Sequence, residues 1–233
     1  MTRGGRLAAA LAGAALLAAC GGDSISVEDD RESVERAIAV FEASLAEDGF
    51  EASEEEAEDD DDDFEFRTAE CERFEALNDD DLPGSSADAE SDELERGEVT
   101  AEGGTSNTAQ ASVGLVREPD GLDEYVGLLR DEGLEPCFEE AIRVSFETEE
   151  FEGLTLAELR VSRPGAPQVG DETVRIRVDG ALEVEGAQVP FVFLFDFARD
   201  GRAAALVSTT TINAEEPSFD PEPLLRLLID EVA

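Results

Sequence analysis

Apolar positions recur along this chain with two different periods, and the change of period marks its elements. Val34, Ile38, Phe41 and Leu45 follow one another at steps of four, three and four, so they line one face of a helix over about 30–47 that Gly49 stops. Phe66, Cys71, Phe74 and Leu77 fit a short half-buried helix ended by the polar turn 79–84, and 84–104, polar and rich in Gly and Ser, reads as a loop. Thr108 to Arg117 takes strand spacing, with Ala109, Ala111, Val113 and Leu115 on one face. Asp120 is the expected N-cap of a helix whose buried stripe is Leu122, Tyr125, Val126 and Leu129. Gly133 breaks that helix, and Pro136 opens another carrying Cys137, Phe138, Ala141 and Ile142.

The last part of the chain reads as strands. Leu154 to Arg163 is bounded by Gly153 and Pro164, and strands follow at about 172–184, 188–198 and 202–212. Gly186 and the pair Asp200-Gly201 supply the positive backbone angles of tight hairpins, so these three strands are expected to be antiparallel neighbours. The middle one is apolar on both sides, with Phe191, Phe193, Phe195 and Phe197 facing one way and Val192 and Leu194 the other, which requires cover on both faces. Its neighbour alternates Val174, Ile176 and Val178 with Thr173, Arg175 and Arg177. A closing helix starts at Asp220, with Pro221 in its first turn and Leu224, Leu225, Leu228 and Val232 as its packing face.

Charge then removes whole function classes. The 233 residues hold 60 acidic and 17 basic side chains, a net charge of -43, and every basic residue is Arg. Nucleic acid is excluded as a partner, because phosphate backbones are bound by neutralising them, and anionic headgroups would repel the same surface. The absence of His and Lys removes imidazole relays and metal ligands, Schiff bases and phosphate-binding loops built on Lys. Residues 54–63, all acidic except Ala57, read as a self-repelling solvated loop. The sharper alternative, calcium binding, lacks the alternating ligands, central Gly and distant Glu of an EF-hand, which leaves weak, non-specific cation binding.

At the start of the chain, Arg3 and Arg6 precede the apolar run Leu7 to Ala19, as in a signal peptide; a membrane-spanning helix needs about 20 apolar residues. Leu17-Ala18-Ala19-Cys20, followed by Gly21-Gly22, resembles the bacterial lipobox, in which the cysteine takes up diacylglycerol before cleavage. The resemblance implies a mature chain that starts at Cys20 and is held on the outer face of the cell membrane by its acyl chains, since two chains anchor stably where one does not. With Cys20 used, Cys71 and Cys137 remain, an even pair in an oxidising compartment and hence an expected disulfide.

The order of elements predicts an α+β fold: an antiparallel sheet with helices packed on both faces, preceded by a signal peptide and an acidic loop. From about residue 68 it is similar to the PsbP-like alpha/beta/alpha sandwich of actinobacterial lipoproteins of the LpqN type and of some receptor-kinase sensor domains. The similarity rests on Ala111 to Val116 leading into Leu122 to Leu129, on Pro136-Cys137-Phe138, on Leu159-Arg160 before Val169-Gly170-Asp171-Glu172, and on Arg199 to Ala203 between the last strands. The organisation is therefore 1–19 signal peptide, 20–30 tether from Cys20, 31–67 helix plus acidic loop, and 68–233 sandwich.

The resemblance implies an envelope protein that binds or senses a ligand, and it implies no catalytic residues. The expected function is that of an extracytoplasmic, monomeric lipoprotein, not an enzyme, with no cofactor or metal. Its sandwich would bind a small molecule, a lipid or a protein. Arg175 and Arg177 are the candidates for holding an anionic group in a forked geometry, with Tyr125 as a possible lining residue; the competing reading pairs the arginines with the abundant acids and puts Tyr125 in the core. The alternative function is a structural or interaction protein whose acidic surface is adapted to salt and which has no pocket.

Overall fold

The computed structural model describes residues 27–53, 67–77, 85–99, 103–117, 120–146, 155–184 and 186–233. The expected signal peptide, Cys20, the tether up to residue 26 and the acidic run 54–63 lie outside the described residues.

The chain opens with helix α1 (Val27–Glu47), whose first turn carries Glu28, Asp29 and Asp30, where the helix dipole favours negative charge. Strand β1 (Glu51–Ala52) and a short 3-10 helix (Glu72–Leu77) follow. Next come β2 (Ser85–Glu90), β3 (Leu94–Arg96) and β4 (Ser106–Val116). Two short helices, α2 (Asp120–Leu129) and α3 (Leu134–Ser145), lead to β5 (Thr155–Ser162), β6 (Glu172–Val184), β7 (Ala187–Asp200) and β8 (Ala203–Ile212), and α4 (Glu222–Val232) closes the chain. The named strands form one eight-stranded sheet in the order β1-β3-β4-β8-β7-β6-β5, with β2 also on β4, and their pairings are antiparallel. The fold is α+β with helices on both faces.

The segment expected to be a loop, 84–104, instead contains β2 and β3. Ser-Ser-Ala-Asp-Ala-Glu has none of the β-branched or aromatic residues that mark a strand, yet Ala87 and Ala89 alternate inward and the backbone finds a ready-made partner in β4. Pairing with β4 and cover by α1 outweigh weak local preference. The expected sandwich began at residue 68; α1, which precedes it, packs against α4, β2 and β4 and contributes Val34, Ala37, Phe41 and Leu45 to the core.

One face of the sheet is floored by small residues, Ala109, Ala111, Ala198, Ala203 and Ala205, which lets α1 and α4 lie close against it. The other face carries Val174, Ile176, Val178 and Phe197 beneath α2, α3 and the 3-10 helix. A disulfide joins Cys71, at the start of the 3-10 helix, to Cys137 of α3, closing a loop of 66 residues. At the outer border of the sheet, the β5 amide of Val161 donates to the Glu139 carboxylate of α3 at 3.0 Å.

Candidate functional site

The register of β6 on β7 decides what Arg175 and Arg177 do. Arg175 stands directly opposite Asp196 on the α4 side of the sheet, and its Nε and Nη2 donate to the two carboxylate oxygens at 2.6 and 2.7 Å. Asp196 is 0% exposed. Burial pushes its carboxyl above the ordinary value, as do Asp220 and Glu222 nearby, while the guanidinium opposes that rise. Arg177 is equally occupied: it donates to Asp179 at 2.8 Å, to Glu216 at 3.0 Å and to the Glu215 carbonyl at 3.0 Å. Both guanidiniums are thus spent on the protein's own acids. Tyr125 lies on the opposite face, in the core beneath α2, with its ring 5.4 Å from that of Phe197 and its hydroxyl pushed up to about 12 by burial. The sheet separates it from the arginines, so the three residues do not form one site.

A second buried Arg–Asp pair lies on the same face as Arg175. Asp30 of α1 accepts from both terminal nitrogens of Arg202, one at 3.0 Å, and from the Ser86 hydroxyl at 3.0 Å. Those hydrogen bonds, led by Arg202, hold its carboxyl below the ordinary value. This pair fixes the start of α1 to the β7–β8 turn.

Guanidinium groups without such partners converge elsewhere, where β5, β6 and β7 meet at the end of the sheet remote from that turn. A cavity of about 740 Å³ opens there, within the range of about 300–1,000 Å³ that suits a small molecule. Arg143 reaches it from α3 and Arg160 from β5, and among the described residues neither forms an ion pair. Arg130, Arg163, Arg175, Arg177, Arg199 and Arg202 all find carboxylates; Arg96 and Arg117 also form no ion pair among the described residues, and what sets Arg143 and Arg160 apart is that both line one cavity. Leu159, Pro190, Phe191 and Val192 supply apolar lining. Gly180 stands opposite Phe191 in the register, and the ring fills the space that a Cβ at Gly180 would occupy. Of the acids present, Asp179 is held by Arg177, while Glu158 and Glu215 leave carboxylates able to accept from a ligand's hydroxyl or ammonium group.

The arrangement can therefore hold one anionic group in a guanidinium fork and rest an apolar body beside it. Among the described residues no group of His, Cys, Asp and Glu could hold a metal ion, and no helix is long and apolar enough to cross a membrane. Sequence reasoning singled out neither Arg143 nor Arg160 as a binding residue. Each is an exposed position on an amphipathic element, and nothing in the local pattern tells whether a guanidinium will meet a carboxylate in the fold.

No family model matches the chain, and no curated protein matches it in sequence. Among solved structures it is similar to the crystal structure of LpqN, involved in cell envelope biogenesis of Mycobacterium tuberculosis, at 10% identity and a TM-score of 0.31, over 65% of this chain and 78% of that one.

Proposed function

We propose that this chain is an extracytoplasmic envelope lipoprotein, held on the membrane through acyl chains on Cys20, whose PsbP-like sandwich is a non-catalytic binding domain. Its ligand is a molecule with one anionic group and an apolar body, seated in the cavity between Arg143 and Arg160. The observation that carries the binding role is that pair of arginines, which line one cavity and form no ion pair among the described residues, in a chain of net charge -43. Both guanidiniums are exposed and so are open to donate charge-assisted hydrogen bonds to a ligand anion. A polyanion is disfavoured by the surrounding acids, which selects for a singly anionic ligand. The lipobox-like Leu17 to Cys20 and the oxidised Cys71–Cys137 pair support the extracytoplasmic setting.

Two fluorescent probes with nearly the same body test the site: 8-anilinonaphthalene-1-sulfonate, which carries an anion, and N-phenyl-1-naphthylamine, which does not. The Arg143→Gln, Arg160→Gln double variant should weaken the sulfonate about tenfold or more and leave the neutral amine unchanged. Unchanged sulfonate affinity would remove the site from consideration. Anchoring is read separately by detergent-phase partition, in which the parent protein should enter the detergent phase and Cys20→Ser the aqueous one.

A further inference from the structure

We infer that the cavity opens away from the membrane, so that its anionic ligand arrives dissolved in the aqueous phase and is not a lipid drawn from the bilayer. The inference rests on the anchored reading of Cys20 and adds an orientation to it.

The start of α1 is locked in place. Asp30 is held by Arg202 in the β7–β8 turn and by Ser86 of β2, so the chain leaves the domain toward Cys20 at that end of the sheet. From Cys20 to Val27 is a step of seven residues, which spans at most about 25 Å. The cavity lies at the opposite end, where Gly180 and Ala181 finish β6 opposite Pro190 and Phe191 near the start of β7. From Asp200 to Phe191 the strand covers about 30 Å at 3.3 Å per residue. Helix α1 gives a second ruler of the same length. Its 21 residues rise about 31 Å, from the Arg202 end to Asp48, whose carbonyl accepts from Arg96 at 3.2 Å at the far end. The two sites are also apart across the sheet, because α1 lies over β2 and β4 while the cavity adjoins β5, β6 and β7, beyond β8. At about 4.8 Å per strand that adds roughly 15 Å.

Charge lies at both ends and does not choose between them. Glu47, Asp48, Glu98, Glu183, Glu215 and Glu216 are exposed at the cavity end, and Glu28, Asp29, Asp120, Asp123 and Asp171 at the tether end. Anionic headgroups repel either end once it comes within a Debye length of about 8–10 Å. The tether distinguishes them: it holds the α1 end next to the surface, which leaves the cavity, about 30 Å further along the sheet, facing the medium.

The chain contains no Trp, so each introduced Trp is the sole indole emitter. Val27→Trp, at an exposed position beside the tether, and Ala187→Trp, exposed beside the cavity, are prepared in the full lipidated protein and inserted into phosphatidylcholine vesicles containing phosphatidylglycerol and a dansyl-headgroup lipid. Energy transfer from Val27→Trp should exceed that from Ala187→Trp about threefold or more. Equal or reversed transfer overturns the orientation while the anchor stands. No transfer from either variant, with the protein left in the aqueous phase on detergent partition, overturns the anchor and this inference with it, so the two failures are distinguishable. The parent protein released from the same vesicles after incubation with benzenesulfonate, a singly charged anion, is then weighed by native mass spectrometry. Retained benzenesulfonate supports a dissolved source; retained phosphatidylglycerol, or neither, overturns it.

Discussion

The two faces of the sheet bury it by different means. On one, α1 of 21 residues and α4 of 11 lie on a floor of alanines, and two Arg–Asp pairs are enclosed with them. On the other, α2 and α3 have 10 and 12 residues, and Phe74, Phe138 and Tyr125 cover the sheet's Phe197 with a disulfide across them. Short helices bring little apolar area, so bulky rings and a covalent link take the place of length. The long-helix face has area to spare and can hold charge. The lesson is that polar groups enter this core where helical cover is most extensive.

The contrast can be pressed hardest at the disulfide. Replacing Cys71 and Cys137 by Ser should cost about 4 kcal/mol in urea denaturation, from the entropy released to a 66-residue loop in the unfolded chain. A loss near zero would mean that ring packing alone secures the short-helix face. Next in size is Arg175→Met, which strands the fully buried Asp196 and should cost about 3 kcal/mol at neutral pH. The sign of its pH dependence follows from the raised carboxyl. The folded state prefers the protonated acid, so the stability Asp196 contributes is present below its unfolded value of 3.8 and is lost as pH rises through the folded one. Without its guanidinium the carboxyl rises further, and the variant should recover stability on acidification relative to the parent.

Asp30→Asn is the smaller test, costing roughly 1.5–2 kcal/mol as charge-assisted hydrogen bonds are lost. Here the carboxyl is lowered, so its contribution is present above the unfolded value of 3.8 and disappears as pH falls through the folded one. The gap between Asp30→Asn and the parent should thus close in acid. If both pairs showed the same pH sign, burial would not be what distinguishes Asp196 from Asp30.

Much of this architecture was legible in the sequence because local and tertiary signals agree. Gly186 and Gly201, at φ 85° and 56°, sit in the hairpins that join β6, β7 and β8, and the alternation of β4 puts its alanines on the α1 side. The strands β2 and β3 were illegible for the opposite reason: the Ala, Asp, Ser and Glu of β2 and the three residues Leu-Glu-Arg of β3 carry no strand signal, and the backbone pairing that makes them strands comes from β4. The same holds for the site. Arg175 and Arg177 stood out by alternation, but whether an arginine is engaged depends on what the neighbouring strand places opposite, and Asp196 opposite Arg175 is a fact of register. Arg143 and Arg160 come from a helix and an edge strand brought to one cavity by the fold, a juxtaposition that no spacing along the chain encodes.

The contact between Glu139 and the Val161 amide has its own consequence. A border strand with free amides is a template on which another chain can add, and a carboxylate seated on one of those amides blocks growth at that point. A chain that meets other copies of itself is thereby spared one route to polymerisation, through a single side chain of the helix that flanks its sheet.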